Sequence, residues 1–136
     1  MASFTCNIVK CIFYNFLIHG RGTSGWHVHI KKKDYVIKDS WVHVSRVNHE
    51  MDILEKIKGL KGVPHLITAW TVKIRGVSDR TDTCHPVPLD TLSSNVRVHR
   101  QILMQPVGIP LSELKSICKL ISVLIDILDS MSELIA

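Results

Sequence analysis

Apolar and polar residues alternate in short stretches along the first forty residues, and the period then changes. Residues 12–18, rich in aromatic and branched side chains, predict a strand. Gly20-Arg21-Gly22-Thr23-Ser24-Gly25 predicts a turn. Alternation returns from Trp26 to Ile30, with Val28 and Ile30 on one side of the pleat and His27 and His29 on the other. Lys31 to Asp34 is polar and turns the chain into Tyr35-Val36-Ile37-Lys38, a further strand. Together these predict an antiparallel meander.

Helical spacing takes over at Glu50, Ile53, Ile57 and Leu60, with Met51 and Leu54 beside them. Ser45 or Asn48 suits the cap of this helix. Lys56, Lys58, Gly59 and Pro64 suit its end, through the helix dipole, the left-handed stop and the missing N–H of proline. Leu66 to Arg75 alternates again, which places Leu66, Thr68, Trp70, Val72 and Ile74 on one strand face. Residues 76–95 form a polar loop, the natural place for mobility. Val96 to Met104 is another strand, broken by Gln105-Pro106-Val107-Gly108-Ile109-Pro110, because proline cannot donate to a ladder. From Leu114 to Ile135 apolar residues step by three and four, and a second stripe of Leu120, Val123, Ile127 and Leu134 joins them. A helix apolar on most sides is normally buried all round, so a cover from elsewhere or from a partner is expected.

The 136 residues suffice for one modest domain, and 46% apolar with 21% charged residues argues against disorder. The net charge of +5 is scattered, apart from Lys31-Lys32-Lys33, and reads as a solvated basic surface. Aromatic residues make up 6%, too few for the stacking platforms of nucleic-acid binding, so that class ranks last. Four cysteines form no C-x-x-C pair and fit free thiols in an intracellular, reducing compartment. His27 and His29 share a strand face and Cys84 adjoins His85, but no second pair stands at a usual zinc spacing, so no metal site is expected. Lys10 and Asn15 interrupt the apolar stretch from Ile8 to Ile18, which argues against a signal peptide. No uncharged apolar run is long enough to span a membrane.

The residue patterns resemble a protein kinase small lobe. Gly20-x-Gly22-x-x-Gly25 followed by Val28 is similar to the Gly-rich loop, and Val36-Ile37-Lys38 to the strand bearing the phosphate-binding lysine. His49-Glu50-Met51-Asp52-Ile53-Leu54 resembles the helix bearing its partner glutamate, and Ile102 to Gly108 the strand and hinge that hold adenine. The stretches GRGT, YVIKDSW, KGVPHL, RVHRQILMQPVGIPL and LISVLIDIL resemble the fungal-type protein kinases over about residues 17–130.

That resemblance implies an α+β fold: a twisted antiparallel sheet of about five strands with one packed helix, then a hinge and a long apolar helix. It divides the chain into a small lobe at 1–104, a hinge at 105–111 and the first helices of a truncated large lobe at 112–136. It implies ATP as ligand, with backbone N–H groups of Gly20, Gly22 and Gly25 closing over phosphates. Lys38 would reach the α- and β-phosphates and Glu50, twelve residues on, would hold it there. Val28 would roof the adenine, Met104 would be the gatekeeper, and Gln105 to Val107 would offer backbone hydrogen bonds to the base. Asp126 and Asp129 fall on the polar side of the last helix and are given no catalytic role.

The chain also departs from the kinase pattern. Neither H-R-D nor D-F-G occurs, so the catalytic base and the metal-holding acids are missing from these residues and no magnesium site is expected. Phosphoryl transfer by this chain alone is therefore not expected. If a complete cleft bound nucleotide at micromolar strength, about −8 kcal/mol, half its contacts would leave about −4 kcal/mol, a millimolar site. The competing expectation is a pseudokinase-like binding module that associates with itself or another kinase-like chain through residues 114–135.

Overall fold

The computed structural model describes residues 4–15, 22–84 and 95–136. Strands β1 (Asn7–Tyr14), β2 (Ser24–Ile30), β3 (Lys33–His43), β4 (His65–Thr71) and β7 (Arg97–Gln105) form one antiparallel sheet in the order β1-β2-β3-β7-β4. Helix α1 (His49–Lys56) links β3 to β4. A two-stranded ribbon of β5 (Lys73–Ile74) and β6 (Val77–Ser78) and a single turn of helix, α2 (Thr81–Cys84), lie between β4 and β7. The chain ends in α3 (Ile117–Ile135). The fold is thus α+β with the five-stranded sheet and single packed helix that the sequence predicts.

Local chemistry sets the register. The β2–β3 hairpin turns on Lys31 and Lys32 alone, both left-handed at φ +49° and +66°, the two-residue turn whose twist matches paired strands. That register puts His29 opposite Asp34, His27 opposite Val36 and Gly25 opposite Lys38. Gly25 admits the ring of Phe13 from β1: a Cβ there would lie 2.3 Å from Phe13 Cε1.

Directly opposed residues share a face, so the pairing divides the sheet in two. One face, here the outer one, presents Trp26, Val28, Ile37, Leu103 and Trp70, and its core is Val28, Ile37 and Leu103. The other, the inner face, presents His27, Val36, Lys38, Arg100, Ile102 and Met104. Helix α1 lies on this inner side, with Leu54 buried one turn beyond Glu50.

Four expectations are corrected. The first strand spans Asn7–Tyr14 rather than 12–18; residues 16–18 and Gly20 lie outside the described residues. A bulge between Leu66 and Thr68 flips the pleat, so Leu66 faces inward with Met104 while Thr68 pairs with Leu103 on the outer face. The stretch from 76 holds β6 and α2 before residues 85–94, which are not described. Leu114 stands outside α3, because Ser116 is extended and its side chain accepts from Lys119 N–H to start the helix there.

Helix α3 is also not buried all round: Ile117, Ile121, Leu124, Leu128, Met131 and Ile135 are all exposed. It docks by one edge, where Ser130 Oγ donates to the Lys61 carbonyl at 2.6 Å and Asp126 meets Lys61 Nζ at 2.7 Å. Among the described residues, no helix is long and apolar enough to cross a membrane.

Candidate functional site

On the inner face, Lys38 Nζ donates to Glu50 Oε1 at 2.5 Å. β3 presents Lys38 and the first turn of α1 presents Glu50, so the contact ties helix to sheet across twelve residues of sequence. Asn48 occupies the cap position of α1, and its carbonyl, not its side chain, closes the first turn by accepting from Asp52 N–H.

One hollow is lined by this pair, and a second lies elsewhere along the sheet. The first, about 770 Å³, is lined by Lys38, Arg46, His49, Glu50 and Arg97 among others, three permanent cations against one acid, which suits anionic groups. The other, about 890 Å³, lies where β7 ends and is lined by Lys10, His27, Asp34, His65 and the run Gln105 to Ile109. Val36 and Met104 pair directly and share the face of Lys38. Gln105 ends β7, and its side-chain Nε2 donates to the Asp34 carbonyl, which fastens the end of β7 to the β2–β3 hairpin.

Of the residues singled out by sequence, Lys38, Glu50 and Met104 lie on the inner side of the sheet, and Gln105 and Val107 line the hollow at the end of β7. Gly22 is left-handed at φ +42°, as a turn requires, and Gly25 stands beside Lys38 in the pleat. Val28 does not belong to this set. It is 1% exposed in the core of the opposite face, while its neighbour His27 shares a face with Val36 and Lys38. Counting from Gly20, the valine position of G-x-G-x-x-G-x-V falls on His27 in this chain, so the sequence held the correction.

A family model described as fungal protein kinase matches residues 2–136. The chain belongs to that family. No curated protein matches the chain, and no solved structure does. This fungal protein kinase family member has the five-stranded antiparallel sheet that the resemblance implies, with Lys38 and Glu50 meeting between sheet and helix.

Two polar clusters become visible only in the fold. His99 Nε2 meets Asp39 at 2.5 Å and Nδ1 meets Asp79 at 2.9 Å, while Trp41 stacks on the ring at 4.7 Å. The hydrogen bond that the ring donates to Asp39, more than that to Asp79, raises the imidazole above its usual range, against the effect of burial. Asp39 and His99 lie sixty residues apart in sequence, so only the β3–β7 register could reveal them. Second, His27, His29 and Asp34 converge at the hairpin. Their hydrogen bonds, that of His27 first, hold the Asp34 carboxyl below the usual carboxylate range. On the inner face, Arg100 donates to Thr71 Oγ1 while its Nε and the hydroxyl of Ser40 are buried without a partner, and burial lowers the guanidinium from its ordinary value.

Proposed function

We propose that this member of the fungal protein kinase family presents a nucleotide-facing inner sheet that binds ATP weakly and does not transfer phosphate by itself. The observation that supports this most is the Lys38–Glu50 pair, formed at hydrogen-bond distance on the face that also holds Val36 and Met104. In this reading Lys38 meets the α- and β-phosphates, Glu50 fixes its ammonium, and the backbone from Gln105 to Val107 meets the base. His27 takes the roof position first given to Val28. Gly20, Gly22 and Gly25 supply the phosphate-covering loop.

Phosphoryl transfer also needs a base and acids to hold magnesium, and these residues contain neither H-R-D nor D-F-G. One side of a cleft holds only part of a ligand's surface, so the affinity is placed in the millimolar range. An intracellular setting fits Cys6, Cys11 and Cys118, which are free thiols. A fluorescent ATP analogue tests the reading. Its displacement by millimolar Mg-ATP in the native chain and not in Lys38→Met supports it; equal displacement in both overturns it.

A second reading is favoured by the exposure of α3. Its apolar residues resemble a helix that packs against the helices of another kinase-like chain. Association measured by sedimentation, abolished by Leu124→Lys with Leu128→Lys, supports that module; a monomer at all concentrations removes it.

A further inference from the structure

We propose that His27, His29 and Asp34 form a three-ligand binding site for a divalent transition metal, zinc by the chemistry of its donors, at the open edge of the β2–β3 hairpin. The site does not depend on whether the chain binds nucleotide. His27 and His29 stand two residues apart on one strand, so the pleat points both rings to the same side. The two-residue turn places Asp34 directly opposite His29. Nε2 of His27 lies 2.7 Å and Nε2 of His29 2.5 Å from the same oxygen, Asp34 Oδ1. All three ligand atoms fall within 4.8 Å of one another.

Ligand atoms at about 2.0–2.1 Å from a tetrahedral zinc stand about 3.3 Å apart. The carboxylate therefore needs to withdraw by less than about 1 Å and the two Nε2 atoms, within 4.8 Å of each other, to close by at most about 1.5 Å, and the carboxylate has a second oxygen with which to meet the ion. Two imidazoles and one carboxylate suit zinc, cobalt, nickel or copper rather than magnesium or calcium, which prefer oxygen ligands alone. Three protein ligands leave a position for water or an exogenous group. The side chains of His29 and Asp34 are 48% and 57% exposed, which leaves an entry path from solvent. Lys10 and Lys33 line the same hollow and oppose a cation by like charge, which weakens the site.

Before metal binds, the two rings donate Nε2–H to Asp34. Metal binding needs a lone pair on each Nε2, so the ring proton moves to Nδ1 or leaves, and binding weakens in acid. Cys and His spacing along the chain leaves Asp34 out of the set. Its participation depends on a turn in which two lysines take the left-handed conformation.

The test is a titration of the full chain with Co²⁺ and Zn²⁺, in the absence of nucleotide. One Co²⁺ per chain with the visible spectrum of a four-coordinate ion is expected. Zn²⁺ should displace it, and His29→Ala and Asp34→Ala should each weaken binding at least tenfold. A nitrogen-detected imidazole spectrum of the unmutated chain gives a second readout that needs no variant to fold. Zn²⁺ should shift Nε2 of His27 and His29 ahead of the other six histidines. No stoichiometric binding, binding indifferent to both substitutions, or first shifts at other histidines would each overturn the site and leave the cluster as a hairpin clasp.

Discussion

Lys38 on β3 and Glu50 on α1 form an ion pair 2.5 Å long with both side chains open in part to water, 26% and 37%. In such surroundings a pair contributes little to stability, because solvent screens the attraction and two flexible side chains must be ordered. Glu50→Gln and Lys38→Met are therefore each expected to cost about 1 kcal/mol or less in urea unfolding. A loss of about 3 kcal/mol would mean that the pair is a structural rivet, as a fully buried one would be.

Gly25 and Phe13 are expected to be strongly coupled. A Cβ at residue 25 meets Phe13 Cε1 at 2.3 Å and two further ring atoms at 2.8 Å. The ring is half exposed and can swing aside, which loses its packing without breaking the sheet. Gly25→Ala should destabilise by about 1–2 kcal/mol, the low range for overpacking. In a Phe13→Ala background the same change should cost almost nothing, since the two sites are in contact and non-additive. Equal costs in both backgrounds would place the strain in the backbone instead.

The hairpin turn offers a gain in stability. Lys31 and Lys32 both sit at positive φ, where Asn and Gly are at ease and a long side chain is not. The double change Lys31→Asn with Lys32→Gly should raise stability by about 1 kcal/mol in denaturant unfolding. No gain would show that the lysines are held there by contacts beyond the turn.

His99 makes the fold sensitive to alkali. Only the imidazolium can donate from both nitrogens at once, and two carboxylates face it. The hydrogen bond to Asp39 leads in raising the folded-state value above the ordinary one near 6.5, and Asp79 adds to it. A raised folded value means that this stabilisation is fully present below about pH 6.5 and is lost as pH rises through that folded value. The melting temperature should fall over that range, and His99→Gln should flatten the fall. An unchanged slope in His99→Gln would assign the dependence to other groups.

What the sequence made legible was whatever local period and spacing encode. The alternation at Trp26–Ile30 and the helical step from Glu50 gave β2 and α1, and the kinase resemblance, not spacing alone, pointed to the Lys38–Glu50 pair. What stayed hidden depended on register or on the balance of burial. The bulge after Leu66 reverses the side-chain alternation without leaving a proline or glycine to mark it. Val28 looks like a roof residue because it is apolar and near the motif, yet one step in the pleat moves a side chain to the other face. The Asp39–His99–Asp79 cluster joins three separate segments. Helix α3 showed its period in the sequence but not its exposure, since hydropathy tells how a helix would be satisfied, not what covers it.

An amide-correlation NMR titration with Mg-ATP puts the two-faced sheet itself to the test. Shifts are expected at Gly22 to Gly25, His27, Lys38, Glu50, Met104, Gln105 and Val107, saturating only in the millimolar range and lost in Lys38→Met. Val28, Trp26 and Trp70 on the opposite face should move least. Shifts centred on that outer face, or no shifts at any attainable concentration, would contradict a nucleotide-facing inner sheet.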